Sequence, residues 1–359
     1  MKYENILIIK MSSLGDILHA LPFAAALRTH FKDSKISWLV QPEFADFIPL
    51  GGVIDEVIEF DKKGFKKLSW TEKIKYFFHM RRMLRSKKFD LAIDMQGLFK
   101  SAVFAALSGS KTRIGYCEMR EFSSLVSKPI CGKNRNAHVI ERYLDVARFL
   151  GAEIKKIEFP MPNLSEAEES LKEKLKTLNF GKNNGGLDEK NSFGGGFDIG
   201  VKYVVFAIGA RWRTKEWIMA HFAKLAQMIT KDGYFIVLAG AKSEKEKGEA
   251  ICAQCEKIID LTGETTLKEL AVLIKHCAFF VSADTGPLHL ATAFQKPLAA
   301  LYGPTLAART GPYANKNASV IVSPAPCAGC LKKSCRDWRC MREITPEAVY
   351  KVFKEKINV

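Results

Sequence analysis

No stretch of this sequence approaches the roughly 18 uninterrupted apolar residues of a membrane-spanning helix. The opening segment MKYENILIIKMSSLGDILHA lacks the layout of a secretory signal, because its apolar run is short and soon broken by charge. A soluble, cytoplasmic protein is the expectation. The dinucleotide fingerprint G-x-G-x-x-G is missing after the first strand-like run, where only Gly15 stands, which argues against a hydride-transfer enzyme. There is no zinc-finger, RRM or helix-turn-helix signature, so nucleic acid is not the expected partner. Acidic residues are in short supply, 39 Asp and Glu against 55 Lys and Arg, for a formal charge of +16.

What is present has globular proportions, with 47% hydrophobic and 26% charged residues. A chain of 359 residues is long enough for about two domains, each with its own core. The positive charge is concentrated. Between Asp61 and Asp90 eleven Lys and Arg face three Asp and Glu, and a second cluster is CLKKSCRDWRCMR at 330–342. Such fields attract an anionic membrane surface or a phosphorylated substrate, the plain alternative being a solvated face. The segment 70–85 carries Trp70, Ile74, Phe77, Phe78, Met80 and Leu84 beside basic residues; a sheet-covering helix is favoured over a membrane-touching one.

Nine cysteines are many for a cytosolic chain. Cys117, Cys131 and Cys277 lie in or beside apolar stretches and read as buried small hydrophobes. Cys327, Cys330, Cys335 and Cys340 fall within fourteen residues, CAGCLKKSCRDWRC. They can bind a metal, form two disulfides or remain thiols, and the spacing matches no common zinc ribbon. No metal site is the expectation, these four being the weaker alternative.

Strand-like and helix-like segments alternate through both halves. NILIIK, ISWLV, VIDEVIEF and FDLAIDM are interleaved with DILHALPFAAALRTHF, the 70–85 segment and GLFKSAVFAALSG. The pattern breaks at 179–200, NFGKNNGGLDEKNSFGGGFDIG, which reads as a flexible linker or insertion. It restarts with YVVFAI, a helix from Lys215, YFIVLAG, KIIDLTG, AFFVSA, a helix from Gly286, and PLAALYG. The expected fold is therefore α/β, with two Rossmann-like domains facing a cleft. The boundaries are 1–178, the 179–200 linker, 201–345 and a C-terminal helix at 346–359.

Four motifs fall at predicted strand ends, where ligands of such sheets bind. In IIKMSSLGDILHALP, strand one delivers Ser12, Ser13, Gly15 and Asp16 to a helix start, where Asp16 is either a cap or a general base. In FAIGARWRTKEW, Gly209 and Ala210 allow close backbone approach, and Arg211, Arg213 and Lys215 follow at the expected helix start. Cations there oppose the helix dipole, so an anionic ligand would resolve the conflict. In VLAGAKSEKEK, Glu244 follows a Gly turn, placed to accept from ribose hydroxyls. In SADTGPLHLATAFQKPLAALYGPT, an apolar strand ends in Asp284 and Thr285, then Gly286, Pro287 and His289 open a helix suited to phosphate.

MSSLGDILHALP, GARWRTKEW, LAGAKSEKE and the Asp284–His289 segment together resemble glycosyltransferase family 9, the ADP-heptose:lipopolysaccharide heptosyltransferases, in order from about residue 5 to 350. The resemblance implies a glycosyltransferase-B fold and an inverting transfer from ADP-L-glycero-β-D-manno-heptose. The implied acceptor is a Kdo or heptose sugar of the lipid A inner core, met by a peripheral protein at the cytosolic face of the inner membrane. It implies that Asp16 deprotonates the acceptor hydroxyl, that Lys215 contacts the donor phosphates and that Asp284, Thr285, Gly286 and His289 bind the donor. Gly209, Ala210 and Arg211 line the donor side, and Glu244 faces the ribose. Ser13, Gly15, Lys100 (in DMQGLFKSA) and Arg120 (in RIGYCEMREF) face the acceptor.

Two departures stand out. Some heptosyltransferases I carry threonines where this chain has Gly209, Ala210 and Arg211, and the four-cysteine segment occurs in only some members. SSLGDILHALP is nonetheless similar to heptosyltransferase I, which implies a Kdo acceptor. The alternatives are a heptose acceptor, another nucleotide sugar, or a non-catalytic binding protein of the same fold. No D-x-D-like pair of acids sits at a strand end, so transfer without a metal cofactor is expected.

Overall fold

The computed structural model describes residues 2–177 and 201–357, so the 179–200 linker lies outside the described residues. The chain divides into two compact units between Pro162 and Asn163. In the first unit the strands are β1 (Asn5–Ile9), β2 (Lys35–Val40), β3 (Glu56–Glu59), β4 (Leu91–Asp94), β5 (Thr112–Tyr116) and β6 (Lys128–Ile130). In the second they are β7 (Tyr203–Ala207), β8 (Phe235–Ala239), β9 (Ile258–Asp260), β10 (Phe279–Ala283), β11 (Leu298–Tyr302) and β12 (Ala318–Val322).

Each unit forms one six-stranded sheet, in the orders β3-β2-β1-β4-β5-β6 and β12-β11-β10-β7-β8-β9, with neighbouring strands parallel. Counted along each unit, both orders are 3-2-1-4-5-6. Strand order therefore reverses between β1 and β4 and between β7 and β10, and a crevice opens beyond the carboxyl ends of those pairs. The central strands are buried end to end, as a parallel sheet covered on both faces requires, which is why NILII and FFVSA are almost uninterrupted apolar runs.

The helix Ser165–Thr177 corrects the expected boundary at 178, because it packs with the second unit. Leu171 and Leu175 are buried, and each such leucine contributes about 2 kcal/mol. Lys174 Nζ lies 2.9 Å from both carboxylate oxygens of Glu269, and Ser170 Oγ donates to the same group at 2.9 Å. Glu269 also closes the start of its own helix by accepting from Thr266 N–H at 2.7 Å. Glu168 adds a 2.7 Å pair with Lys275. Interactions between residues a hundred apart in sequence leave no periodic trace, so composition alone put the break too late. The C-terminal helix, Pro346–Ile357, also belongs to the second unit.

The cysteine reading is corrected in one place. Cys277 is buried as expected, but Cys117 and Cys131 are disulfide-bonded, joining the residues that directly follow the paired strands β5 and β6.

Glu269→Ala should lower unfolding free energy by about 2 kcal/mol, because it strands Lys174 and the Thr266 N–H together. Urea melts of the variant check this; an unchanged midpoint would mean the helix Ser165–Thr177 is held by its leucines alone.

Candidate active site

In the first unit, β1 runs out at Ile9 and the chain reaches the helix Leu14–His30 through Lys10, Met11, Ser12 and Ser13. Asp16 sits in the first helical turn and does cap it: its Oδ2 accepts from Ser13 N–H at 3.0 Å and from Ser13 Oγ at 2.9 Å. Its Oδ1 lies 4.0 Å from the ammonium of Lys10, and the side chain is 46% exposed, so one carboxylate oxygen still faces solvent.

Lys10 itself is only 2% exposed. It donates to Met95 O at 2.9 Å and to the Tyr143 hydroxyl at 2.8 Å, with its ammonium 5.1 Å from the Tyr143 ring centre. Burial pushes the Tyr143 phenol well above its ordinary range, so the hydroxyl stays neutral. Beside it, Arg142 forms an ion pair with Glu118.

The turn after β4 completes this crevice. Gln96 Oε1 accepts from Met11 N–H at 3.1 Å and Ser12 N–H at 3.2 Å, binding the β1 turn to the β4 turn. Asp94 receives Gln96 N–H, Gly97 N–H and Ser101 Oγ within 3.0 Å. Burial raises its pKa, against those hydrogen bonds and Lys10. Lys100 lies in the first turn of the helix Phe99–Leu107 that follows. Arg120 is exposed on the adjoining loop, tied to the same turn by its N–H to Gly97 O at 2.9 Å. Ser13, Gly15, Asp16, Lys100 and Arg120 therefore gather at the first crevice.

In the second unit the remaining candidates gather at the β7/β10 crevice. Lys215 donates to Asp284 Oδ2 at 2.7 Å and to Asp284 O at 3.0 Å, with its ammonium 4.6 Å from the Trp212 ring centre. An ammonium has three N–H groups, so one is left for a ligand. The Asp284 carboxylate is nearly buried. Its Oδ1 lies 3.7 Å from His289 Nε2 and receives Tyr302 OH at 3.4 Å and Thr310 Oγ1 at 3.3 Å. Burial alone would raise its pKa, but Lys215 and His289 hold it below the usual carboxylate range.

The helix Gly286–Ala293 begins directly after, with no side chain capping it. Thr285 Oγ1 instead pairs with Ser282 Oγ at 2.8 Å. Pro287 has no N–H and the Leu288 N–H is given to Thr285 O at 3.2 Å, so the open start leaves the Gly286 N–H as a donor near the third Lys215 N–H.

Glu244 closes the same crevice from the β8 side, accepting the Ala241 N–H. A Cβ on Gly209 would stand 2.5 Å from Glu244 Cδ, so a side chain there would displace the Glu244 carboxylate from the β7 turn. Ala210 and exposed Arg211 continue that turn.

One expectation about Lys215 is corrected. No helix starts there: Arg213–Lys215 is a single 3-10 turn, and the helix begins at Met219. The lysine is held by Asp284, not set against a helix dipole.

The four-cysteine segment braces this site from behind. Thr214 Oγ1 donates to Lys332 O at 2.9 Å, the Lys333 ammonium lies 5.2 Å from the Trp212 ring centre, and Trp217 Nε1 donates to Ile344 O at 2.8 Å. Cys340 is buried against Gly303, while Cys327, Cys330 and Cys335 are exposed. Among the described residues no group of three or more His, Cys, Asp or Glu is placed to hold a metal ion.

Sequence reasoning missed Lys10, Gln96, Tyr143, Tyr302 and Thr310. Only Lys10 left a signal, a lone charge ending an otherwise apolar strand; the others are recruited across the fold by backbone geometry.

The family model described as glycosyltransferase family 9 (heptosyltransferase) matches residues 77–339. Lipopolysaccharide heptosyltransferase 1 of Pseudomonas aeruginosa is 28% identical over 92% of this chain and 87% of its own length. Lipopolysaccharide heptosyltransferase 2 of Escherichia coli is 29% identical over 65% of each chain. The structure of E. coli heptosyltransferase WaaC with ADP superposes with a TM-score of 0.73 at 25% identity, covering 98% of this chain and 99% of that one.

Replacing Lys215 by methionine should invert the pH response of this site. In the wild type the lowered Asp284 pKa contributes stability that is complete above about pH 4 and lost only in stronger acid. Without the ammonium, burial dominates, the pKa rises, and stability is instead lost as pH increases through the new value. Melts from about pH 4 to pH 8 should show the variant's deficit widening to about 3 kcal/mol at neutrality. A deficit independent of pH would contradict the pairing.

Proposed function

The chain belongs to glycosyltransferase family 9, the heptosyltransferase family, and from this we propose that it transfers heptose from ADP-L-glycero-β-D-manno-heptose to a Kdo sugar of the lipopolysaccharide inner core. The observation that carries the reading is the Lys215–Asp284 pair beside the uncapped start of the helix Gly286–Ala293. That arrangement offers a fixed ammonium N–H and the Gly286 backbone N–H to a diphosphate. Such donors, aimed where charge develops, often supply the largest single part of a rate enhancement.

In this reading the Asp16 oxygen not committed to Ser13 takes the proton of the acceptor hydroxyl. The acceptor oxygen bonds to the anomeric carbon from the face opposite ADP, and the bond from that carbon to the β-phosphate oxygen breaks with its electron pair leaving on ADP. One attack on one face inverts the anomeric centre, so a single base suffices. Lys10, buried 4.0 Å away, favours the ionised carboxylate. Lys215, Arg211 and the helix start take up the negative charge of the departing diphosphate, so no metal cofactor is needed. Glu244 receives the ribose hydroxyls. Lys100 and Arg120, on loops at the first crevice, meet the carboxylates and phosphates of the Kdo-lipid A acceptor. A lipid-borne acceptor places the enzyme at the cytosolic face of the inner membrane.

The Kdo acceptor is supported by 28% identity, over 92% of this chain, to a protein named heptosyltransferase 1. The second reading, a heptose acceptor, is favoured by the slightly higher identity to heptosyltransferase 2 over a shorter span.

ADP release with ADP-heptose should require Kdo₂-lipid A and fall about 10²–10⁴-fold in Asp16→Asn with donor binding retained. Turnover only on an already heptosylated core would move the protein to the second reading; full turnover in Asp16→Asn would remove the base. Excess EDTA should leave the rate unchanged, and a loss restored by a divalent cation would overturn the metal-free step.

A further inference from the structure

We propose that the helix Trp70–Ser86 and its basic surroundings form a docking surface for an anionic phospholipid bilayer. The inference deepens the acceptor reading above, on which it rests, since a lipid-borne sugar is met only at a bilayer.

The helix has two apolar faces and the fold uses one. Met80 and Leu84 are buried, and Tyr76 and Met83 pack on the same core as Phe60 and Phe104. This is the sheet-covering face that the sequence leads one to expect. The second set, Trp70, Ile74, Phe77 and Phe78, recurs at helical spacing on a different face and is left in solvent. Trp70 is 76% exposed, Phe78 60%, Ile74 41% and Phe77 40%. Single exposed hydrophobes are ordinary, but four on one helical stripe are not. The Ser69 and Glu72 capping box, with Ser69 N–H to Glu72 Oε2 at 2.7 Å, fixes the helix start, so Trp70 is held in place as its first residue.

Charge identifies the occupant. The aromatic stripe continues along the helix into Arg81 and Arg85, and Lys66, Lys67, Lys75 and Arg82 flank it, all exposed. Among the described residues none of these six takes part in an ion pair, whereas Lys63 and Lys87 at the margins pair with Glu43 and Glu56. Aromatic residues bounded by unneutralised Lys and Arg match the interface of an anionic leaflet, where rings sit at headgroup depth and cations meet phosphate. A second copy of the chain is a poor fit, because a two-fold contact would set this positive face against itself. No described helix is long and apolar enough to cross a membrane, so the helix lies on the surface.

The test is co-sedimentation of the full-length protein with vesicles of phosphatidylcholine alone or of equal parts phosphatidylcholine and phosphatidylglycerol. The wild type should bind the mixed vesicles, weaken with added salt, and bind pure phosphatidylcholine poorly. Trp70→Ser/Phe78→Ser should bind at least about tenfold more weakly, and Arg81→Glu/Arg85→Glu likewise. Circular dichroism melts and ADP release with a de-acylated, water-soluble acceptor should match the wild type in both variants. That assay separates the two readings: turnover on the soluble acceptor without any vesicle binding sinks the docking surface and leaves the transferase. Equal vesicle binding by wild type and variants would overturn the proposal, as would a wild-type dimer in sedimentation velocity that the Trp70/Phe78 variant abolishes.

Discussion

A lysine ammonium 2.7 Å from a nearly buried carboxylate organises the second half of this molecule. Neither charge is tolerable alone at that depth, since an unpaired buried ion costs several kcal/mol. Together they lock the Arg213–Lys215 turn after β7 to the end of β10, and Asp284 spends its other oxygen on Tyr302, Thr310 and His289. In the proposed function the ligand-facing groups are what remain: one Lys215 N–H and the Gly286 N–H of the next helix. In that proposed function the ion pair sets the anion site out before an anion arrives, so the cost of ordering those donors is met by folding and not by binding.

The first unit repeats the device with another balance. Lys10 stands at the equivalent point, after the first strand of a 3-2-1-4-5-6 sheet, but its partners are the neutral Tyr143 hydroxyl and the Met95 carbonyl. Asp16 is close without being bonded to it, and half of its surface meets solvent. A carboxylate fixed by its helix cap yet exposed on one oxygen is suited to taking a proton, whereas Asp284, enclosed on every side, is suited to holding a cation. In the proposed function two aspartates at corresponding crevices are divided between base and scaffold by burial.

The fold was legible where the physics is local. The buried central strands and the glycine and aspartate turns that end them are written in contiguous residues, and so are the motifs at the two crevices. The strands β5 and β6, and the edge strand β12, were not identified; RIGY and KPI are short and partly polar and pair only through the sheet beside them. The helix Ser165–Thr177 was assigned to the wrong unit because Lys174 and Glu269 lie far apart along the chain. Of the sites, residue identities came from motifs, while Gln96, Tyr143 and Tyr302 could not, since nothing near them in sequence marks a chemical role. The Cys117–Cys131 bond was missed for the same reason.

The central claim is that the site built on Lys215 and Asp284 recognises a diphosphate. Calorimetric titration of adenosine, AMP and ADP into the protein, and into Lys215→Met at a pH where that variant is folded, tests it most directly. The account predicts that ADP binds at least about 100-fold more tightly than adenosine, and that Lys215→Met removes most of that difference while adenosine affinity stays put. Equal affinities for adenosine and ADP, or an unchanged ratio in the variant, would contradict it.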